Sequence, residues 1–593
     1  MLAFGVLIGL DGSPVSPEAA ARLRQALAAT PGRASSFKAA SVAAVHVTHE
    51  VPLDYDRDVP HETARGAVVM GALRLDDRDR LCRELRPEAW RSLVGASDAS
   101  LAALAYERWG DRVAEHLTGD FAFCVWNAMT RQLICVRDHH GNRSLYWGRD
   151  GERFVVSTEL AAVRSQAARA GPLREDAIAS FLRVGWVQDP TATVWRDVYR
   201  LPRATTMIVT AGESPRVRTH WEFPTPAPLR YTDEADYAAH FSEVLGAALR
   251  DRLRAKSAVV FLSGGMDSTT LAATAQGAAQ DVTLFAQTSG YPSLAPSDDD
   301  RLAPIVARRL GLAHDVLSFG DRPALYWLDD QAPYPAQPLD SPDFADWRVS
   351  SRAAASRSPI AISGEDGDAL LHPSTLLAQL RSEPFGDVIG AWWRFWRGTG
   401  RRPWAGVEWR LRLRRAMGRG PRDPTPWLRE SARKLAGAPP PSVSHSERPR
   451  TVKLLSSGLW EMLYEEHSPS VTGADLLVTF PFVDPRVIAF IFAIPPVPWL
   501  QNKQIMRVAM RDRLPAEVLA RPKTALEGYI EARVAQWRAG GGTAVRLSER
   551  VARWVDREHV EDVYRRGHPY AVLDAWRVLQ LDRWLAREGQ GHA

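Results

Sequence analysis

Lysine is nearly missing from this chain. Of its 75 basic residues, 69 are arginine and six are lysine. An arginine-biased coding sequence accounts for most of that imbalance. The 70 acidic residues hold the formal charge to +5. A pI near 9.1 on so balanced a chain is weak ground for a nucleic-acid partner, and none is expected. Cysteine is sparse too. Cys82, Cys124 and Cys135 fit no zinc spacing, and three thiols in 593 residues make no disulfide framework. Long apolar runs are also lacking. The most apolar stretch, VIAFIFAIPPVPWL, is cut by prolines well short of the ~20 residues that a membrane span needs. The start, MLAFGVLIGLDG, has neither the basic region nor the cleavage signature of a signal peptide. A soluble cytoplasmic protein is expected.

What is present is ample core material. Hydrophobic residues make up 45% and charged residues 24%, which excludes a largely disordered chain. At roughly 150 residues per domain the length suggests about two to four domains. Residues 1–220 read as an α+β domain with a large antiparallel part. The runs AVVMGALRL, FAFCVWNA, RQLICVRD and RFVVSTE are strands, and LAALAYERWGDRVAEH (101–116) is a helix. The Pro-rich WEFPTPAPLRYTDE (221–234) reads as a linker. Beyond it, strands alternate with helices: SAVVFLSGG, DVTLFAQT, HDVLSF and PIAISG imply a parallel α/β sheet, followed by a mainly helical end. Residues 221–593 are therefore taken as one α/β synthetase unit. Within it, 381–433 carry 13 arginines against 5 acids, with Trp392, Trp393, Trp396, Trp404, Trp409 and Trp427. This helical insertion, about 381–450, reads either as a solvated elaboration or as a docking surface for a peptide or partner protein.

The chemistry is concentrated in SAVVFLSGGMDSTTLAA (257–273). A strand ending at Leu262 delivers the chain to Ser263, Gly264 and Gly265. Two glycines let the backbone turn sharply and bring its N–H groups to a ligand. A helix then starts near Asp267 and Ser268, so its N-terminus points to the same place. The hydroxyls of Ser263 and Ser268 add donors. The pattern is a pyrophosphate cradle, distinct from GxxxxGK[ST], which is absent. An acid there would repel phosphate unless a cation intervened, so Asp267 is read as a Mg²⁺ ligand.

SGG-x-DS resembles the motif of the ATP pyrophosphatases, which cleave ATP between the α and β phosphates and activate a carboxylate or carbonyl as an adenylate. ISGEDGDALL (362–371) resembles the SGEGSDE motif of the asparagine synthetases within that superfamily. The resemblance implies that Gly364 lies at the ATP site and that Asp368 is the second Mg²⁺ ligand. It makes Glu365 a candidate to orient or deprotonate the nucleophile. FPFVDPRVIAFIFAIPP resembles a further family segment, with Thr479 where arginine is common. NKQIMRVAMRDRLPAEVLARPKTALEGY resembles the family's K-x-x-x-R … R-x-K tail. Two of the six lysines, Lys503 and Lys523, fall in these 28 residues. A lysine kept against the arginine bias suits a compact charge on phosphoryl or tetrahedral-intermediate oxygens. RPK-x-x-x-E-G (521–528) resembles the catalytic-lysine loop of β-lactam synthetases. In the first domain, LTGDFAFCVWNAMTRQLICVRDHHGNRSLYWG (117–148), with ERWG and FVVSTEL, is similar to the family's glutaminase domain. The implied folds are an Ntn-hydrolase-like αββα domain and an α/β synthetase domain with a parallel sheet and a helical C-terminal part.

Two parts of a working glutaminase are missing. Residue 2 is leucine where the family has its nucleophilic cysteine, and bulky Leu2 disfavours removal of Met1. Met70-Gly71-Ala72-Leu73-Arg74-Leu75-Asp76 stands where the oxyanion segment NGE-x-YN belongs. A synthetase of this family without its ammonia source must find another nucleophile. RLDDRDRL (74–81) resembles the replacement common in lasso peptide cyclases. Those enzymes adenylate an Asp or Glu side chain of a processed precursor peptide and let its N-terminal amine close a macrolactam. The resemblance implies ATP and Mg²⁺, a precursor peptide as substrate, and a leader peptidase with a leader-binding element as partners. A β-lactam-synthetase-like or other small-molecule amide ligase, a divergent ammonia-dependent asparagine synthetase, and a degenerate binding or regulatory protein are the alternatives.

Overall fold

The computed structural model describes residues 2–166, 171–295, 297–329, 335–382, 384–400, 402–403, 425–437, 448–521 and 528–590. Lys523, Trp404 and Trp409, with 404–424 and 438–447 of the expected insertion, lie outside the described residues.

The first part is a four-layer αββα sandwich built from two six-stranded antiparallel sheets. Period-2 alternation explains the layers, because strands covered on both faces carry apolar side chains on both. On the strand Ala3–Gly9, Phe4, Val6 and Ile8 face the other sheet, meeting Met70, Ala72, Ala122 and Cys124. Ala3 and Leu7 face outward, under Leu23 and Leu27 of the helix Pro17–Leu27. On the strand Gly119–Asn127, Phe121, Phe123 and Val125 turn the other way, toward Leu101 and Ala102 of the helix Asp98–Trp109. That helix stops earlier than the sequence pattern suggests. Gly110, with φ +60, ends it, and residues Gly110–His116 continue as a 3₁₀ turn. All three cysteines are buried, and burial pushes the Cys124 and Cys135 thiols far up, so neither is a nucleophile.

The second part holds a five-stranded parallel sheet. Its spatial order is Ala313–Ser318, Thr283–Gly290, Ser257–Phe261, Ile360–Ile362, Leu477–Thr479. The chain enters at the middle strand, Ser257–Phe261, builds outward on one side, then returns to build on the other. The topological switch point therefore lies between Ser257–Phe261 and Ile360–Ile362, where Val260 pairs with Ile362. Ligands of open α/β sheets bind outside the strand ends at such a point. Both Gly-containing motifs leave the sheet there.

The Pro-rich segment is packed rather than a loose spacer. Phe223 is buried against His140 and Phe492, and the Leu229 amide donates to the Ala493 carbonyl at 2.8 Å. The two parts are also joined by buried charge. Arg74 meets Asp76 at 3.1 Å and Asp120 at 2.5 Å. Arg252, from the helix Glu234–Arg252, reaches Asp76 at 3.0 Å and Asp484 at 2.6 Å. A second contact pairs Arg137 of the sandwich with Glu461 at 2.6 Å. Among the described residues no helix is long and apolar enough to cross a membrane.

Candidate active site

Leu262 is buried at the end of the central strand, and its amide donates to the Gln287 carbonyl at 2.8 Å. The chain then turns at Gly264, whose φ is +70. A Cβ there would also lie 3.0 Å from Leu302 Cβ and 3.1 Å from the Ala303 nitrogen, so both conformation and packing require glycine. Gly265 stands at the N-cap of the helix Met266–Ala278, where it supplies no side-chain cap. Ser268 is spent internally: its Oγ accepts from the Ser263 amide at 3.0 Å and lies 3.1 Å from Ser263 Oγ. The loop is thus stapled to the first helical turn, while Ser263, Gly265 and Asp267 remain on the cavity wall.

The second motif is pressed against the first. A Cβ on Gly364 would lie 3.2 Å from Asp267 Cβ, and one on Gly367 would lie 2.8 Å from Asp267 Cγ. These two glycines let ISGEDGD approach Asp267. Asp366, between them, turns inward and accepts the Val483 amide at 3.1 Å. Burial, reinforced by the charges of Glu365 and Asp267, pushes its carboxyl up to about 8.

A cavity of about 580 Å³ opens over these motifs, lined by Ser263, Gly265, Asp267, Asp368, Lys503 and Arg507 among others. Lys503 projects between the two predicted metal ligands. Its Nζ bonds Asp267 Oδ2 and lies 2.6 Å from Asp368 Oδ1. Its backbone is left-handed, as is that of Asn502, with φ +56 and +50. Such conformations are costly for non-glycine residues and cluster at functional sites. Arg507 secures this turn by donating to the Asn502 carbonyl at 2.8 Å and the Arg521 carbonyl at 2.8 Å. Phe395 and Arg402 bring the Trp/Arg-rich segment to the same cavity.

Glu365 lines a different cavity from Asp368. A recess of about 180 Å³ holds it with His467, Glu466, Trp347, Asp343 and Asp346. His467 Nε2 lies 3.1 Å from Glu365 Oε2. Removal from water opposes charge on both groups, but their mutual attraction prevails. Glu365 is held below the usual range and His467 above it. Sequence reasoning missed His467 because a lone histidine, 102 residues from its partner, carries no local signal.

The donor set suits Mg²⁺. Two carboxylates reach one small cation, as Lys503 shows. Among the described residues no group of three or more His, Cys, Asp or Glu is arranged to hold a metal. Magnesium ordinarily takes one or two carboxylates with phosphates and water rather than an all-protein cage. Lys503 competes for the same oxygens. Lys503→Met is therefore expected to raise Mn²⁺ affinity without nucleotide by roughly tenfold or more, given ~1–4 kcal/mol for a unit charge at contact. Titration followed by electron paramagnetic resonance would read this.

Residues 240–586 match the family described as Asparagine synthase. The chain belongs to the asparagine synthase family. Residues 79–221 match a glutamine amidotransferase domain, in keeping with the Ntn-hydrolase-like sandwich. A Mycobacterium bovis protein named "Putative asparagine synthetase (glutamine-hydrolyzing)" is 26% identical over 479 residues, covering 74% of this chain and 71% of its own. "Amidase chry2" of Gibberella zeae is 31% identical over 209 residues, 35% of this chain and 30% of its own. Asparagine synthetase (glutamine-hydrolyzing) 3 of Bacillus subtilis is 22% identical over 205 residues, 34% and 33% respectively. This asparagine synthase family member is an ATP-dependent amide ligase by class.

Proposed function

We propose that this asparagine synthase family member is a lasso peptide cyclase. It adenylates an Asp or Glu side chain of a leader-cleaved precursor peptide, releasing pyrophosphate. It then joins that carbonyl to the peptide's N-terminal amine, releasing AMP. The observation that carries the reading is a cavity that gathers Ser263, Asp267, Asp368 and Lys503, in a chain whose sandwich has a buried leucine at residue 2. Leu2 is buried, and its amide donates to the Val47 carbonyl at 2.8 Å. Arg74 and Asp76, where the oxyanion segment would lie, are consumed in the buried ion network. The nitrogen must then arrive with the substrate, and a tethered amine needs positioning more than a strong base.

In this mechanism the Ser263–Gly265 loop and the first amides of Met266–Ala278 cradle the phosphates. Asp267 and Asp368 hold Mg²⁺, which when bound neutralises phosphate charge. Lys503 leaves the carboxylates for phosphate oxygens, and Lys523 is assigned to the pyrophosphate and the tetrahedral intermediate. Glu365 orients the amine and receives its proton. The helix Phe385–Thr399 supports a peptide substrate: Phe395 reaches the cavity, while Phe385, Ile389, Trp393 and Trp396 are exposed. A leader peptidase and a leader-binding element are the proposed partners.

The small recess at Glu365 favours a second reading, a ligase for one small amine. Incubation with ATP and a leader-cleaved candidate peptide decides between them. The cyclase forms AMP and a product lighter by one water, detected by mass spectrometry. It releases no glutamate from glutamine. Exchange of pyrophosphate only with a small carboxylate, and none with peptide, supports the small-molecule ligase.

A further inference from the structure

We infer that a small cavity between the sandwich and the synthetase part is a binding site for one monovalent anion of halide size, held by Arg143. The site is separate from the nucleotide cavity and does not depend on the identity of the substrate. Its volume is about 40 Å³. One water needs roughly 10–15 Å³ of such space, so there is room for a halide and none for a nucleotide. Both parts build the wall. Leu2, Arg143 and Glu159 come from the sandwich, and Tyr464, His467 and Phe480 from the other side.

Arg143 is the reason to expect an anion. It is 8% exposed. Yet among the described residues its guanidinium has no hydrogen-bond partner and no carboxylate within 4.0 Å. Arg74, Arg137 and Arg252 are also buried, and each meets a carboxylate, at 2.5, 2.6 and 2.6 Å. A buried charge is costly unless it is paired. Burial accordingly pushes the Arg143 guanidinium below its ordinary value, and the acids Asp120 and Asp138 do not reverse the shift. The backbone that carries it is held at both ends. Its amide donates to Asp138 Oδ2 at 3.1 Å, and its carbonyl accepts from Arg137 Nε at 2.7 Å.

The rest of the wall leaves that charge unanswered. Glu159 is the one carboxyl among the described wall residues. It accepts the Ser470 hydroxyl, and burial pushes it up to about 7, so at neutral pH it is only partly charged. His467 is paired with Glu365 at 3.1 Å. Tyr464 is 5% exposed, and among the described residues its hydroxyl has no hydrogen-bond partner, which leaves it able to donate. Leu2, Leu476 and Phe480 add apolar surface, which strengthens attraction between a guanidinium and an ion by excluding water. Charge-assisted donors in such a setting hold an anion well. Once occupied, the site braces the two parts, since Arg143 belongs to the sandwich and Tyr464 to the helix Gly458–Glu466.

Bromide is the probe. Crystals of the full chain grown with sodium bromide should show an anomalous peak in this cavity, in contact with the Arg143 guanidinium and the Tyr464 hydroxyl. In solution, thermal midpoints are compared at equal ionic strength in sodium bromide and in sodium gluconate, whose anion is too large for the cavity. At ten times the bromide dissociation constant, the gain from bromide should be about 1–2 °C larger in the wild type than in Arg143→Met. Tyr464→Phe deletes only a hydroxyl and should weaken bromide about three- to tenfold. A cavity that holds water alone, anomalous peaks only elsewhere, or a bromide gain undiminished in Arg143→Met each overturns the site. If Arg143→Met does not fold, the wild-type peak and Tyr464→Phe decide, and bromide affinity unchanged in Tyr464→Phe overturns it equally. Neither readout needs turnover. A chain that closes no peptide ring leaves the anion site standing, and a working cyclase that ignores bromide disproves the anion site alone.

Discussion

Asp267→Asn should lower ATP–pyrophosphate exchange by roughly a hundredfold to a thousandfold, the usual cost of removing one preorganised charge-stabilising group. The geometry explains why so small a change should be so large in effect. Asp267 sits in the first turn of Met266–Ala278, where the helix N-terminus favours an anion. Its carboxylate, with that of Asp368, offers the paired oxygens that a divalent cation needs beside phosphates. Asparagine keeps the shape and the contacts with Gly364 and Gly367 but removes the charge. Folding should therefore be spared, since Asp267 is on a cavity wall rather than in the core. Lys503 would lose one of its two anions and be held by Asp368 alone. Exchange that persists at the normal rate in Asp267→Asn would remove this residue from the adenylation site.

The features legible in the sequence were those set by local rules. Ser263-Gly264-Gly265 was readable because a strand, a glycine turn and a helix start follow one another directly, and each leaves its own residue signature. Glu365 and Asp368 were readable as acids at a motif, but not as residues of two cavities. Three residues of sequence cannot show that the two side chains line different cavities, which depends on how ISGEDGD packs on Asp267. Lys503 is conspicuous by the rarity of lysine in the chain, which points to phosphate oxygens. Its contact with both carboxylates depends on two consecutive left-handed residues, a conformation that composition does not signal. His467 was illegible because its partner is distant in the chain. RLDDRDRL carries only a family resemblance in its residues. The ion network that Arg74 and Asp76 enter needs Arg252 and Asp484, more than 170 and 400 residues away.

That network supports the other large effect. Arg252→Met is expected to cost about 3–5 kcal/mol, the range for removing one partner of a buried ion pair. Its guanidinium is buried and serves Asp76, Asp484 and, at 3.7 Å, Asp120. Methionine fills much of the volume but leaves these carboxylates short of a cation. Burial by itself would raise the carboxyls of Asp120 and Asp484. Instead, the charges of Arg74 and Arg252 hold Asp120 at about 2, and Arg252 with Arg486 holds Asp484 well below the usual range. Folded-state values below the unfolded value near 3.9 mean stability that is present above pH ~4 and lost as pH falls toward 2. Arg252→Met should therefore lower the thermal midpoint at pH 7 and move acid unfolding to higher pH, both visible by circular dichroism. Arg252→Lys, which keeps a charge but cannot serve three carboxylates with one planar fork, should fall between. The same experiment bears on the sandwich's present role. If Arg252→Met also depresses pyrophosphate exchange while still folded, the sandwich supports the synthetase site through Asp484. If exchange is untouched, the network contributes stability alone.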